Sequence, residues 1–307
     1  MALFVSNNKK EFRNMLETQY LNNKYKNIKY YCWSCFHTNS SKNFNITWQS
    51  AGNQQQTCSV GTSETAREKS FNQWLAGLID GDGCLLISKE GYPSLEITLE
   101  LPNEKSLMQI KQKLGGSVKL RSGSKSVRYR LHHKEGMLNL IHRINGEIRN
   151  TIRIPQLIKL CSLLNIPYIQ AQPLTINNYW TMGFFDSDGC ITASLNKISP
   201  TITISIANKY KTNLDLLIPI FNGNVYFSKH GYGHHVWMIE SEKDIKLFLQ
   251  YHKLNPSRTQ KLKRLILIKE FFALKEINAH KAIINSATYQ AWNKFLNKWK
   301  DYDTVQV

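Results

Sequence analysis

At 307 residues and 35.6 kDa the chain can hold two domains of ordinary size, or one with an extension. Its 42% hydrophobic and 20% charged residues exclude a wholly disordered or collagen-like chain. Lys plus Arg outnumber Asp plus Glu by 40 to 22, and a net charge of +18 opposes compaction unless the partner is a polyanion, which makes nucleic acid the leading partner class.

The start, MALFVSNNKKE, has no basic stretch ahead of a short apolar run, so no secretory signal is expected. The longest apolar runs, Leu265 to Ile268 and Phe271 to Leu274, fall far short of the roughly 20 residues that span a bilayer. The chain therefore reads as soluble and in a reducing compartment, with Cys32, Cys35, Cys58, Cys84, Cys161 and Cys190 as free thiols. Residues 1–66 read as an N-terminal extension whose polar, aperiodic part, Asn39 to Glu68, is a linker or disordered segment. Cys32-Trp-Ser-Cys35 with His37 lacks the second ligand pair that a structural zinc site needs, and reads as coincidence.

From Phe71 the chain reads as an apolar helix ending in Asp80-Gly81-Asp82-Gly83-Cys84, then a hairpin, CLLISKEG and PSLEITLEL. A helix over Lys105 to Leu114 follows, then strands over Ser117 to Arg121 and Val127 to His133, and helices over Met137 to Ile144 and Ile154 to Leu164. QAQPLT near 170 to 175 is a linker. The same order then recurs. NNYWTMGFFDSDGC answers FNQWLAGLIDGDGC, each partner lying 106 positions on, as Asp80 to Asp186. A hairpin, a helix over Lys211 to Phe221, strands over Asn224 to Lys229 and His234 to Ile239, and helices over Asp244 to Tyr251 and Arg258 to Leu274 complete the second copy. Such a period is too long for a solenoid unit and indicates a duplicated small domain. The expected organisation is a subdomain over 67–169, a second over 174–290 and a tail over 291–307.

The duplicated Asp-x-Asp-Gly fails as a calcium loop. The sixth and twelfth positions from Asp80 are Leu85 and Gly91, and those from Asp186 are Ile191 and Lys197. As helix-end turn formers the acids are equally well placed, and one copy alone leaves both views open. In two copies, Gly77 and Gly81, and Gly183 and Ser187, put small residues one turn apart, so two helix backbones can approach closely. Packed across a pseudo-twofold axis, those helices bring Asp82 and Asp188 side by side. A hard divalent cation such as Mg²⁺, which takes one or two carboxylates plus water and phosphate oxygens, relieves their repulsion. That constellation suits phosphodiester hydrolysis.

The strands supply a basic ladder. Lys119, Arg121, Arg128, Arg130 and His132 alternate with apolar residues, and Ser88 and Thr98 lie on the first hairpin. The second half offers Thr192, Ser194, Asn196, Thr203 and Ser205, with His235 and Trp237 nearby. A β-ribbon fits the major groove of DNA, where Arg and Lys read guanine. The two ladders differ, so an asymmetric duplex of roughly 20 base pairs is the expected target.

LAGLIDGDG, Leu75 to Gly83, resembles the signature of the LAGLIDADG homing endonucleases, and TMGFFDSDG, Thr181 to Gly189, is similar to the second copy of their single-chain, two-repeat members. The resemblance covers Phe71 to Leu274. It implies an α+β fold of two pseudo-twofold related αββαββα subdomains, with antiparallel DNA-binding sheets, a two-helix interface and action as a monomer. It also implies Mg²⁺-dependent double-strand cleavage leaving short 3′ overhangs. The metal would be held by Asp82 and Asp188, with Gly81 and Ser187 beside them. The family's basic groups near the scissile phosphates map onto Lys105, Lys211, Arg153, Arg258 and Lys261. A maturase that binds intron RNA, and a DNA-binding protein that has lost cleavage, are alternatives that the family allows. Richness in Lys, Asn and Ile is compatible with an intron of a mitochondrial, or else a chloroplast, genome.

Overall fold

A computed structural model describes residues 60–195 and 198–304. The Cys32/Cys35 pair, Cys58, most of the extension and Asn196 lie outside them. Helix α1, Val60–Asp82, is followed by β1 (Gly83–Ile87), β2 (Pro93–Glu100), a 3-10 turn, α2 (Glu104–Leu114), β3 (Ser117–Leu120), β4 (Ser126–Leu131), α3 (Lys134–Ile144) and α4 (Arg153–Leu163). The second half runs α5 (Trp180–Asp188), β5 (Gly189–Ser194), β6 (Thr201–Asn208), α6 (Lys211–Asp215), α7 (Ile218–Phe221), β7 (Asn224–Ser228), β8 (His234–Ile239), α8 (Glu242–Leu254) and α9 (Lys261–Glu276). A last helix, α10, spans Ala287–Thr304. No helix among the described residues is long and apolar enough to cross a membrane.

Each half forms a four-stranded antiparallel sheet, ordered β1-β2-β4-β3 and β5-β6-β8-β7. Alternation sets the faces: Leu95, Ile97, Leu99, Val127, Tyr129 and Leu131 are buried beneath the helices, while Glu96, Thr98, Arg128 and Arg130 turn away. In the second sheet Ile202, Ile204, Ile206, Trp237 and Ile239 are buried. The α+β duplication expected from the sequence is therefore present, sheet for sheet.

Three local differences have physical causes. Helix α1 begins at Val60, inside the stretch expected to be a linker, and is tied down because Glu68 pairs with Arg143 and Lys113, whose hydrogen bonds lower its pKa. The helix expected over Lys211 to Phe221 is broken in two. Pro219 has no backbone N–H to continue a helix and sits in the first turn of α7 instead. The segment expected to be a tail from residue 291 lies within α10, whose Trp292, Phe295 and Trp299 are buried with Phe271 of α9.

The halves meet through α1 and α5. A Cβ added at Gly77 would lie 2.0 Å from the Trp180 carbonyl oxygen, and one at Gly183 would lie 1.9 Å from that of Trp74. The backbones are in direct contact, so no larger residue fits at either position. Gly77→Ala and Gly183→Ala should each destabilise the protein by about 1–3 kcal/mol or more through forced separation of the helices. Urea unfolding monitored by tryptophan fluorescence measures this, and a change below about 0.5 kcal/mol in both would show that the helices do not meet there.

Candidate active site between two motif helices

The two acids of each motif have different jobs. Asp80 and Asp186 are buried and latch the halves together: Trp180 Nε1 donates to Asp80 Oδ2 at 2.7 Å, and Trp74 Nε1 donates to Asp186 Oδ2 at 2.9 Å. Each tryptophan thus bonds the acid of the opposite helix. Asp186 also accepts from Ser257 Oγ, Thr259 Oγ1 and the Arg258 N–H. Asp80 accepts from the Arg149 N–H, but its Oδ1 has no partner, and burial pushes its carboxyl up to about 7 against those donors. These reciprocal bonds are visible in the repeat, where Trp74, Asp80, Trp180 and Asp186 all recur, but sequence reading gave them no role.

Asp82 and Asp188 close their helices at the same end of the pair. A Cβ on Gly81 would stand 3.3 Å from Asp188 Oδ2 and 1.8 Å from Ser187 Oγ, which places both motif ends in contact. Burial pushes Asp82 up to about 6, opposed by Lys261 and Arg153 and assisted by Glu100. Burial and then the Asp82 charge push Asp188 up to about 7, opposed by Lys261, an Asn208 hydrogen bond and Arg153. The Asp82 charge thus raises the proton affinity of Asp188, a carboxylate repulsion that a bound cation would relieve.

Positive charge is supplied symmetrically. Arg153 Nη2 donates to the Gly81 carbonyl at 3.4 Å and its Nε to that of Ile79 at 3.3 Å. Lys261 Nζ donates to the carbonyls of Phe185, Asp186 and Ser187 at 2.8 to 2.9 Å. Arg153 and Lys261 are therefore counterparts, each capping the C-terminal end of a motif helix, where cations are favoured. Desolvation lowers the Lys261 pKa, against the pull of Asp186, Asp82 and Asp188. A pocket of about 380 Å³ between the halves includes Asp82, Glu100, Ser187 and Lys261.

The remaining basic candidates are elsewhere. Arg258 matches Arg149, not Arg153: its guanidinium lies 4.9 Å from the Trp74 ring, as that of Arg149 lies 5.6 Å from Trp180. It bonds Gln109, a packing role that corrects the expected place beside the acids. Lys105 and Lys211 are exposed at helix starts, Lys211 pairs with Asp215, and neither is among the charges acting on Asp82 or Asp188. Sequence reasoning missed Glu100 and Asn208, which follow from the strand ends beside each acid.

On the first sheet Thr98, Lys119, Arg128 and Arg130 share the open face, the register pairing Lys119 with Arg128 and Thr98 with Arg128. His132, Arg121 and Ser88 extend that face, exposed, just beyond the strand ends. Glu96 ion-pairs Arg130 at 2.7 Å and Arg128 at 3.5 Å, so both arginines are held. Thr192, Ser194, Thr203 and Ser205 share the open face of the second sheet, Thr203 donating to Glu240. Trp237 and His235 do not. Trp237 is wholly buried with its Nε1 on the Asn222 carbonyl, and His235 shares its side of the strand, against Phe227 and the Lys209 carbonyl. The alternation that buries Ile239 and Trp237 puts His234, Val236 and Met238 on the open face instead.

The sequence model of the LAGLIDADG endonuclease family matches residues 75–164 and 181–272. The intron-encoded RNA maturase bI4 of Saccharomyces cerevisiae is 50% identical over 234 residues, 75% of this chain and 37% of that protein. A probable intron-encoded endonuclease aI2 of Debaryomyces hansenii is 42% identical over 85% of this chain and 42% of its own length. The chain thus spans about two-fifths of those relatives. The intron-encoded DNA endonuclease ai2a of Dictyostelium discoideum is 31% identical over 75% of each chain. Among solved structures, the LAGLIDADG meganuclease I-AabMI bound to uncleaved DNA shares the fold, with a TM-score of 0.54 and 18% identity over 73% of this chain and 97% of that one. I-SmaMI bound to an uncleaved DNA target in the presence of calcium ions gives 0.56 and 15% over 74% and 97%. With both halves matched, each carrying its motif helix and its sheet, the chain belongs to the LAGLIDADG endonuclease family as a single-chain, two-repeat member.

Proposed function

We propose that the chain is a site-specific, divalent-metal-dependent DNA endonuclease that hydrolyses one phosphodiester in each strand of a long asymmetric duplex. The observation that carries this is the convergence of Asp82 and Asp188 at the touching ends of the two motif helices, with Lys261 and Arg153 beside both acids. Both acids offer hard oxygen ligands, and such a pair suits Mg²⁺, which needs one or two carboxylates and keeps positions for water and phosphate. Among the described residues no three His, Cys, Asp or Glu side chains form a closed cage. An open, two-carboxylate site fits that chemistry.

When bound, the cation supplies a Lewis acid for the phosphate oxygens and the attacking water. The chain's residues do the rest. Asp82 with Glu100, and Asp188 with Asn208, each under the charges of both Lys261 and Arg153, would serve one strand apiece. Lys261 and Arg153 place positive charge where negative charge would build up on the phosphate. The open sheet faces hold about 20 base pairs, the first through Lys119, Arg128 and Arg130, the second through uncharged hydroxyls. Location in an organelle, first a mitochondrion, accords with the intron-encoded relatives. The 50% identity to an RNA maturase supports a second reading, in which the same basic face binds structured intron RNA. It differs in needing neither acid.

Asp82→Asn and Asp188→Asn should each abolish double-strand cleavage while leaving the dissociation constant for target DNA within about 3-fold, since neither touches a sheet. Cutting by either variant at the wild-type rate, on an end-labelled duplex with Mg²⁺, contradicts the assignment.

The same acids give a pH dependence. Both folded pKa values lie above the unfolded 3.8, so the folded state binds more protons between pH 4 and 7, and stability falls as pH rises through that window. Without divalent cation, the Asp188→Asn melting temperature should therefore exceed wild type by a few degrees at pH 7.5 and match it near pH 4. Mg²⁺ should erase the difference at pH 7.5. Equal melting curves at both pH values contradict this electrostatic account.

Arg130→Ala should relax base discrimination in one half-site by about 1–3 kcal/mol. Competition binding against single-base variants, at two salt concentrations, distinguishes this from phosphate contact, which weakens all sequences alike.

A further inference from the structure

The outermost strands β1 and β5 each begin directly after a motif acid, and their outward backbone groups have no strand beyond them to bond. In the first half Gln156 of α4 meets that edge, its Oε1 accepting from the Leu85 N–H at 3.4 Å and from Arg153 Nη1 at 3.4 Å. In the second half the corresponding contact is made by Arg264 of α9. Its Nη1 donates to the carbonyl of Ile191, the repeat partner of Leu85, at 2.8 Å.

A guanidinium in place of an amide changes the energetics. Arg264 is only 8% exposed, and burying a charge is costly unless other groups offset it. The offset comes from α10. The Arg264 guanidinium lies 4.5 Å from the Trp299 ring and 4.3 Å from the Tyr302 ring, at cation–π distance. Tyr302 and Arg264 also line the pocket that holds Asp82, Ser187 and Lys261. Helix α10 lies beyond residue 272, where the family match ends, and among the described residues no hydrogen bond or ring contact brings a further helix against Gln156.

We propose that α10 is a positioning element for one of the two centres, the one containing Asp82 and Lys261. Tyr302 and Trp299 hold the Arg264 guanidinium, Arg264 fixes the β5 edge at Ile191, and the edge in turn sets Ser187 and the Lys261 ammonium on its carbonyl, which line one pocket with Asp82. The centre containing Asp188 and Arg153 has its strand edge braced by Gln156 and feels α10 only through the Lys261 charge. Loosening α10 therefore turns a double-strand cutter into a nickase. The cleavage consequence rests on the endonuclease reading; the bracing of β5 does not.

The test uses the full chain with Tyr302→Ala, Arg264→Gln and the ring-preserving Tyr302→Phe. On a target duplex labelled on both strands, with Mg²⁺, Tyr302→Ala and Arg264→Gln should slow one strand roughly 10- to 100-fold, the effect of a displacement near 1 Å, while the other strand changes less than about 3-fold. The slowed strand should be the one that Lys261→Met slows, DNA affinity should be unchanged, and Tyr302→Phe, which keeps the ring, should slow that strand less than Tyr302→Ala does. Equal slowing of both strands, or none, overturns the proposal. In the free protein, hydrogen exchange over residues 189–194 should quicken in Tyr302→Ala while residues 83–87 stay as in wild type. Unchanged exchange over 189–194 overturns the proposal independently of cleavage. A wild-type protein that cuts no DNA defeats the endonuclease reading instead, and the exchange result then decides the bracing claim alone.

Discussion

Backbone contact between α1 and α5 is the constraint on which the other features depend. Helices normally pack 8–10 Å apart because side chains intervene. At Gly77 and Gly183 none does, since a Cβ at either position would overlap the facing carbonyl. That closeness lets Trp74 reach Asp186 and Trp180 reach Asp80 across the interface, and it brings Asp82 near enough to Asp188 to raise its proton affinity. Stability and chemistry share one axis: the first acid of each motif closes the interface, and the second pays for function with repulsion.

The pseudo-twofold is strict where the halves meet and relaxes away from the axis. Arg153 and Lys261 cap opposite motif helices, and Arg149 and Arg258 stack on opposite tryptophans. Further out, Glu100 stands near one acid and Asn208 near the other. The first sheet carries Arg128 and Arg130 held by Glu96, whereas hydroxyl groups dominate the second. Fusing two repeats in one chain permits this divergence, because each half-site can be read by a different surface while the shared axis stays fixed. On the proposed function, a net charge of +18 supplies general affinity for phosphate, and the unlike sheet faces supply asymmetry.

Much of this was legible in the sequence because a duplicated motif with a constant offset fixes pairing, and strand alternation fixes faces. The small residues at 77, 81, 183 and 187 specified the helix contact, and the open face of Arg128 and Arg130 followed from period two. The sequence leaves Arg153, Arg258 and Lys261 on an equal footing because the segments before α4 and α9 differ in length, and the bonds show that the counterpart of Arg153 is Lys261. His235 and Trp237 are expected at the DNA because they lie near the polar strand face of the second half. Their parity with buried Ile239 argued otherwise, and only the register shows which parity is buried. The role of α10 was not legible at all: an amphipathic helix announces that it packs, but not that its rings hold Arg264.

The central claim is that Asp82 and Asp188 serve double-strand hydrolysis at one long site. The most direct measurement is to incubate the protein with a randomised duplex library and Mg²⁺ and to sequence the cut ends. The account predicts a single asymmetric consensus of roughly 20 base pairs, cut in both strands a few positions apart with 3′ overhangs, and no cut ends when EDTA replaces Mg²⁺. Recovery of no consensus and no cut ends, from protein that still binds a structured intron RNA, would contradict it.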